Sequence, residues 1–187
     1  MAIILASQSP RRRELMGLLQ LPFTVRTADI DETMDPSLSI REGVADLSRR
    51  KAEAIPRQGD EIVIGADTIV VLGDRVLGKP KDPEEAVAML RSLSGRQHQV
   101  MTGVTVLGNG RTVSVTEVTE VIFRQLTDRE IREYVDSKDP MDKAGAYGIQ
   151  SGGAKFVSGI SGDFYNVVGL PVCRLGQILK EFTEESL

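Results

Sequence analysis

Hydrophobic and polar residues alternate along this chain with the periods of both strands and helices. The apolar run Ile3–Ala6 predicts a strand. Leu15, Leu18 and Leu19 then follow with the i, i+3, i+4 spacing of a helix face, which predicts a helix over residues 10–19. Residues 23–28 predict a second strand, so the chain opens as a strand, a helix and a strand.

The later segments continue this alternation. Further helices are predicted over residues 40–54, 81–95, 127–135 and 171–182. An apolar run over residues 61–73 predicts a buried strand that Gly65, Ala66 and Asp67 interrupt. Residues 73–77 then close a hairpin, and residues 98–123 predict two long strands around a turn at 108–110. Residues 139–171 are rich in glycine and too long for a passive connection.

Local signals support several of these boundaries. Asp82 is a predicted N-cap, Pro83 suits the first turn that follows it, and Gly95 can end that helix. Thr127 and Glu130 have the spacing of a capping box. Parallel-type connections beside a hairpin therefore predict an α/β protein with a mixed sheet and a site in a cleft beside it. The chain of 187 residues predicts a single domain over residues 1–187.

Composition narrows the class of protein. A hydrophobic content of 41% and a charged content of 27% are typical of a globular protein. No apolar stretch reaches the roughly 18 residues that span a bilayer, and no signal peptide is recognised, so we expect a cytoplasmic protein without a membrane partner. The net charge of −4 disfavours a nucleic-acid partner.

The scarcity of cysteine and histidine limits the kinds of metal site and catalytic group that the chain can form. With one cysteine, Cys173, and one histidine, His98, the chain cannot form a disulfide framework or a histidine-rich metal centre. We expect Cys173 to be a small buried hydrophobe and His98 to be a satisfied residue of a strand. Catalysis would then depend on carboxylates, lysine, arginine and a hard metal such as Mg²⁺.

The stretch "SPRRREL" places three consecutive arginines in the first turn of the first predicted helix. Cations favour the opposite end of a helix, so Arg11, Arg12 and Arg13 predict an anionic ligand that compensates them. Ser9 as N-cap and Pro10 at the first helical position would leave free backbone N–H groups at the same place, which suits a phosphate. The alternative is a solvated basic turn without a ligand.

Asp67 is the most informative acidic residue, because it follows a buried apolar run where an unpaired carboxylate would be costly. It predicts a general base or metal ligand, although a carboxylate that caps a turn is the alternative. Glu32 lies in the acidic stretch "DIDE", and Lys51 follows Arg49 and Arg50; each could instead be a solvated surface charge.

These charges suit a polyphosphate site. Arg11, Arg12, Lys51 and Lys79 suffice to hold a polyphosphate, and Glu32 and Asp67 could hold Mg²⁺ against it. Neither a GxxxxGK[ST] loop nor a GxGxxG loop is present, so a triphosphate would be held in another way.

The stretches "LASQSPRRREL", "IGADTIVVL", "LGKPKDPEEAVAMLRSLSGRQHQVMTGV" and "PMDKAGAYGIQ" resemble the Maf family of nucleoside triphosphate pyrophosphatases, over about residues 3–171. The resemblance implies an elongated, twisted mixed sheet flanked by helices, with two lobes around a central nucleotide-binding cleft. It also implies a homodimer and a divalent metal cofactor, Mg²⁺ or Mn²⁺.

The resemblance further implies roles for individual residues. Asp67 matches the catalytic carboxylate of the family, and Arg11, Thr68 and Gln150 match positions tied to substrate choice in the dTTP/UTP branch. The other matching pocket residues are Ser9, Arg12, Glu32, Lys51 and Lys79. Ser151 departs from the Gln-Gly of many relatives, which affects the expected ranking of substrates.

The implied reaction is hydrolysis of the α–β phosphoanhydride of dTTP or UTP to the monophosphate and pyrophosphate, as house-cleaning of noncanonical pyrimidine nucleotides. Asp67 would either orient and deprotonate the water or help to hold the metal. The alternative is a regulator of cell division that binds nucleotides without turnover.

Overall fold

The structure, a computed structural model, describes residues 2–184, with backbone only at residues 183 and 184. Seven strands are described: β1 (Ile3–Ala6), β2 (Phe23–Val25), β3 (Ile62–Leu72), β4 (Arg75–Leu77), β5 (Gln97–Gly108), β6 (Arg111–Phe123) and β7 (Val157–Ser161). Six α-helices are described: α1 (Pro10–Gly17), α2 (Ile40–Glu53), α3 (Pro83–Leu93), α4 (Asp128–Asp136), α5 (Phe164–Val168) and α6 (Val172–Glu184). Short 3₁₀ helices lie between α4 and β7.

The strands form one mixed sheet in the order β2-β1-β3-β5-β6-β7, with β4 paired to β3 off this path. Strand β1 is parallel to both β2 and β3, with Ile4 opposite Val63 on one side and Thr24 on the other. The β3–β4 and β6–β7 pairs are antiparallel. The predicted mixed α/β architecture is confirmed.

The chain divides into two compact units. The first unit contains the chain up to Thr68, Thr102–Glu117, and the chain from Gly169 onward. The second unit contains Ile69–Met101 and Val118–Val168. Strands β3, β5 and β6 each contribute residues to both units.

In the first unit, helix α2 packs directly on the strand backbone. A Cβ atom at Gly65 in β3 would lie 2.2 Å from the Ser48 carbonyl oxygen and 2.7 Å from the Ala52 nitrogen. A Cβ atom at Gly103 in β5 would lie 2.2 Å from the Val44 carbonyl oxygen. Both distances are too short for a side chain, so these two glycines permit the close approach of the helix.

In the second unit, helices α3 and α4 pack against the sheet around a separate apolar core. Its largest fully buried side chains include Phe123, Phe156, Leu90 and Ile131. The helix caps agree with the sequence: Asp82 accepts from the Glu85 N–H, and Thr127 forms a capping box with Glu130. Each cap satisfies backbone donors that the first helical turn leaves open.

The structure corrects four details of the sequence-based prediction. Residues 65–67 do not interrupt their strand, because β3 runs unbroken from Ile62 to Leu72. The second strand ends at Val25, before the predicted 28. The glycine-rich segment contains β7 and α5, which no period in the sequence indicated. Cys173 is exposed on α6 and not buried, because it lies on the helix face opposite the buried Leu175 and Ile178.

Candidate functional site

Three predicted site residues meet in the first unit, where β3, α2 and the segment between β2 and α2 converge. The Lys51 Nζ atom lies 2.7 Å from Asp67 Oδ1 and 2.8 Å from Glu32 Oε1. The Asp67 and Lys51 side chains are 12% and 15% exposed, whereas the Glu32 side chain is 61% exposed. Because Asp67 lies within the continuous strand β3, it does not cap a turn. The partner that its buried carboxylate requires is Lys51.

The close packing of α2 on β3 explains this contact. Asp67 lies two residues after Gly65 on the strand, and Lys51 lies between Ser48 and Ala52, whose backbones approach Gly65. A larger residue at 65 would push the last turns of α2 away from the strand. The glycine therefore permits the close approach of helix and strand at which the Lys51 ammonium group reaches the Asp67 carboxylate.

The arginine-headed turn begins as the sequence predicts. Ser9 is the N-cap of α1 and accepts from the Arg12 N–H at 3.4 Å, and Pro10 is the first helical residue. Within residues 10–17, all of which are described, the first turn of the helix holds no acidic residue. Arg11 is half-buried there, and its charge adds to burial, the main cause, in lowering the pKa of Arg12. The turn thus concentrates positive charge where the helix dipole is also positive.

Arg12 is tied into the first unit by its guanidinium group. Its Nε donates to the Gly169 carbonyl oxygen at 2.8 Å, and its Nη2 donates to Thr68 Oγ1 at 3.0 Å. Burial is the main cause that lowers the pKa of Arg12, while Asp67 and Glu32 oppose the shift. Arg12 is therefore electrostatically coupled to the two carboxylates that contact Lys51.

Thr68 acts as a junction between these groups. Its hydroxyl accepts from Arg12, lies 2.9 Å from Thr102 Oγ1, and lies 3.4 Å from the Gly169 carbonyl oxygen. A hydroxyl has one donor and two acceptor positions, so these contacts use most of its capacity. The structure thus gives Thr68 a definite contact with Arg12, which the sequence did not indicate.

The other two predicted site residues lie in the second unit and are both exposed. Lys79 lies between Gly78 and Pro80, and the Gly78 carbonyl oxygen accepts from the Gly145 N–H at 3.0 Å. Gln150 lies between the 3₁₀ helices Ala144–Ala146 and Gly152–Phe156 of the glycine-rich segment. Both side chains are accessible to a ligand.

A polar cluster lies beside Gln150 and fixes the backbone around it. Asp139 Oδ2 accepts from the hydroxyls of Tyr134 and Ser151, each at 2.6 Å. The Lys143 ammonium group donates to the Asp139 carbonyl oxygen at 2.6 Å, and the Tyr134 hydroxyl accepts from the Gly148 N–H at 3.1 Å. Burial and Asp139 together raise the pKa of Tyr134, so its phenol remains a donor to the carboxylate.

His98 and the nearby aromatic residues belong to the core of the second unit. The His98 Nε2 atom lies 2.8 Å from the Tyr147 hydroxyl, and its ring meets Phe123 edge-on. Burial lowers the pKa of His98 to about 4, so the ring is neutral near pH 7. Its Nδ1 atom has no partner among residues 2–184, so the expectation of a fully satisfied histidine is only half met.

The carboxylate pair fits a divalent cation in part. Glu32 and Asp67 each place one oxygen within 2.8 Å of the same cationic nitrogen of Lys51. In the described part of the chain, no group of three or more His, Cys, Asp and Glu residues could hold a metal. Two carboxylates suit Mg²⁺ or Mn²⁺ bound together with substrate phosphates, because Mg²⁺ commonly takes its remaining ligands from water and phosphate.

The structure thus brings Glu32, Lys51 and Asp67 together, and it joins Arg12 to Thr68. The sequence analysis missed Thr102, Gly169 and Arg50, which lie beside these residues in the first unit, and Asp139, which bonds to Ser151 in the second unit. Each of these contacts a partner that is 12 or more positions away along the chain, and periodicity does not indicate such contacts. None of the helices within residues 2–184 is long and apolar enough to cross a membrane.

The sequence of the chain is similar to a known protein family and to known proteins. The profile of the family described as Maf-like protein matches residues 2–182. The chain is 50% identical to the dTTP/UTP pyrophosphatase of Bacillus velezensis, with 96% of each chain covered. It is also 50% identical to the protein of the same name from Bacillus cytotoxicus, with 96% of this chain and 94% of the relative covered.

Solved structures agree on the fold. A HAM1 protein from Coxiella burnetii superposes with a TM-score of 0.53 at 17% identity, over 97% of this chain and 100% of the other. The Staphylococcus aureus Ham1 protein superposes with a TM-score of 0.52 at 17% identity, over 97% of this chain and 99% of the other. At this identity the likeness concerns the fold alone.

Proposed function

The chain belongs to the Maf-like protein family, and on this basis we propose that it hydrolyses dTTP and UTP to the nucleoside monophosphate and pyrophosphate. Relatives that are 49–50% identical and carry the name dTTP/UTP pyrophosphatase support this pair of substrates. The observation that carries the proposal is the contact of Lys51 with the carboxylates of Asp67 and Glu32. It places carboxylates that could act as a base or metal ligands next to a positive charge that orients them.

In the proposed reaction, a water oxygen forms a bond to phosphorus and the P–O bond of the α–β anhydride breaks. Pyrophosphate leaves with the bridging oxygen, and the water gives up a proton. Asp67 accepts that proton in the first version of the mechanism. In the second version Asp67 helps to hold the metal, and the proton passes to the surrounding water. Lys51 keeps the Asp67 carboxylate oriented in either version, because its ammonium group is within 2.7 Å of Oδ1.

A divalent cation, Mg²⁺ or Mn²⁺, would be held by Glu32 and Asp67 and would neutralise phosphate charge when bound. Arg11, Arg12 and Lys79 would neutralise further charge as phosphate ligands, and Ser9 and the first turn of α1 would offer backbone donors. The side chain of Arg12 is fixed, since Gly169 and Thr68 hold its guanidinium plane.

Base selection is assigned to Gln150. A carboxamide offers one donor and one acceptor in a plane, which matches the imide edge of thymine or uracil, whereas cytosine replaces one acceptor with an amino donor. The exposed side chain of Gln150 and the fixed backbone beside it support this assignment. Thr68 could form one further hydrogen bond to the base only if its bond with Arg12 or with Thr102 rearranges.

The proposal is tested by incubating the purified protein with dTTP, UTP, CTP, ATP and GTP in Mg²⁺ and measuring pyrophosphate and monophosphate. We expect dTTP and UTP to be hydrolysed roughly ten- to hundredfold faster than CTP. Equal rates on CTP or GTP would refute the substrate assignment. Tight binding of dTTP without release of pyrophosphate would instead support the regulator of cell division.

A further inference from the structure

Glu32 reaches Lys51 from a segment that has no helix or strand of its own. Between β2 and α2, residues 26–39 form only turns and irregular backbone. The Glu32 side chain is 61% exposed, yet its carboxylate lies 2.8 Å from the Lys51 ammonium group. An exposed residue on irregular backbone does not hold such a position by itself, so another contact must fix the backbone at Glu32.

That contact comes from Arg50, the residue directly before Lys51 in α2. The two terminal nitrogens of its guanidinium group donate to two backbone carbonyl oxygens, Nη1 to Asp31 and Nη2 to Thr33, the latter at 2.7 Å. These carbonyl groups belong to the residues on either side of Glu32. The Thr33 N–H also donates to Asp31 Oδ1 at 2.8 Å, which closes the turn locally.

Arg50 is itself held in place on the helix. Its Nε donates to Asp46 Oδ2 at 2.8 Å, one turn earlier on α2, and its side chain is only 29% exposed. The three nitrogens of one planar group therefore join the helix to the carbonyl groups of the residues before and after Glu32. A lysine ammonium group has no such planar fork and could not span the two carbonyls in the same way.

We propose that Arg50 is a positioning residue for Glu32 and thereby sets the affinity of the site for its divalent cation. The inference rests on the proposed function in one respect, the role of Glu32 as a metal ligand. Arg50 touches neither metal nor substrate. It acts by holding the Glu32 backbone so that the carboxylate faces Lys51 and Asp67 before any ligand binds.

Arg49 provides a matched control within the same helix. It also bonds to Asp46, and its second partner is Glu53 at 3.0 Å, so both of these ion pairs remain within α2. It shares with Arg50 the charge, the helix and one partner. It differs in that its bonds to Asp46 and Glu53 do not reach the segment around Glu32.

The test compares Arg50→Lys with Arg49→Lys in the full-length protein. Amide hydrogen exchange over residues 29–35, measured without metal, should speed up about tenfold in Arg50→Lys and remain unchanged in Arg49→Lys. Binding of Mn²⁺ alone, measured by calorimetry, should weaken about tenfold in Arg50→Lys only. Turnover of dTTP at saturating Mg²⁺ should stay within about twofold of the original, with the loss confined to the metal concentration for half-maximal rate.

A double variant shows whether the effect passes through Glu32. If Arg50 acts by positioning Glu32, then Glu32→Gln already removes the ligand, and adding Arg50→Lys should weaken Mn²⁺ binding no further. Additive losses would overturn the proposal, as would equal exchange rates in the Arg50 and Arg49 variants. Faster exchange with unchanged Mn²⁺ binding would also overturn it, since the contacts of Arg50 would then stabilise the segment around Glu32 without affecting metal binding.

Failure of the proposed function would look different. A protein that releases no pyrophosphate from dTTP or UTP would refute the proposed activity. The exchange and Mn²⁺ measurements on the same variants would still decide the role of Arg50, because neither depends on turnover.

Discussion

The two regions that carry the predicted site residues are built in opposite ways. In the first unit, Glu32 and Asp67 both contact the Lys51 ammonium group, so the three charged side chains hold one another in place through Lys51. In the second unit, Gln150 is exposed, and the order around it comes from a cluster of backbone and neighbouring contacts on Asp139. The first arrangement fixes side chains, whereas the second fixes a backbone and leaves the side chain accessible.

This difference suits different roles. Reacting groups and a metal require charges whose mutual distances are set before the substrate arrives. A base-reading amide needs only a defined backbone, because its hydrogen bonds form with the ligand itself. Changes at Glu32, Lys51 or Asp67 should therefore alter turnover on every substrate. Changes near Gln150 should alter the choice between substrates.

The largest expected effect is that of Asp67→Asn, which keeps the size of the side chain and removes its charge. Turnover should fall by about 100-fold or more on dTTP and UTP alike, because the base or metal ligand is lost. Asp128→Asn is the control, since it removes an exposed carboxylate that pairs with Arg91 at 2.8 Å. Turnover near the original level in a folded Asp67→Asn protein would disprove the assignment.

Removal of divalent cations should have a comparable effect. Chelation should abolish turnover, and added Mg²⁺ or Mn²⁺ should restore it, because the two carboxylates Glu32 and Asp67 would hold the ion that neutralises phosphate charge. The measurement is pyrophosphate release before and after dialysis against chelator. Undiminished release after complete removal of metal would show that Lys51 and the arginines suffice.

An intermediate effect is expected for Lys79→Ala. Loss of a charged hydrogen bond to phosphate should weaken binding of a nonhydrolysable dTTP analogue about tenfold, and binding of dTMP less, because fewer charges are held. Lys81→Ala is the matched control, as Lys81 is also exposed and lies two residues further along. Equal losses for triphosphate and monophosphate, measured by calorimetry, would argue against a phosphate role.

The smallest effect is expected for Ser151→Ala, which removes one of the hydroxyl donors to Asp139. The preference for dTTP over CTP should fall about threefold, since the backbone at Gln150 loses one hydrogen bond while the amide remains. Ser151→Thr should restore most of the preference. Ser158→Ala is the control, because the Ser158 hydroxyl on β7 donates to the Ile122 carbonyl oxygen of β6 instead. An unaltered preference in Ser151→Ala would separate the Asp139 cluster from base selection.

Much of the fold follows from local sequence. The strand Ile3–Ala6, the caps Asp82 and Thr127, and the turn with positive φ at Asn109 and Gly110 were all predicted, because each depends on neighbouring residues alone. Strand β7 was missed because its sequence "VSGIS" has no clear alternation, and pairing with β6 decides its state. The exposure of Cys173 was not predictable from its residue type, because its position around the axis of α6 decides whether it is buried.

The site was predictable in its residue types but not in its contacts. The charge at Asp67 after a buried run required a partner, and the sequence supplied several lysines without indicating that Lys51 is the one in contact. The role of Arg50 depends on two carbonyl groups 17 and 19 positions earlier, and no side-chain pattern encodes such a contact. The Asp139 cluster depends likewise on the path of the glycine-rich segment.

The contrast between the two regions can be measured as a single quantity, the ratio of kcat/KM for dTTP to that for CTP in the original protein, Asp67→Asn and Gln150→Leu. We predict a ratio of roughly ten to one hundred in the original protein, the same ratio within about twofold in Asp67→Asn despite its slow turnover, and a ratio near one in Gln150→Leu. An unchanged ratio in Gln150→Leu, or a collapsed ratio in Asp67→Asn, would contradict the division of roles between the two regions.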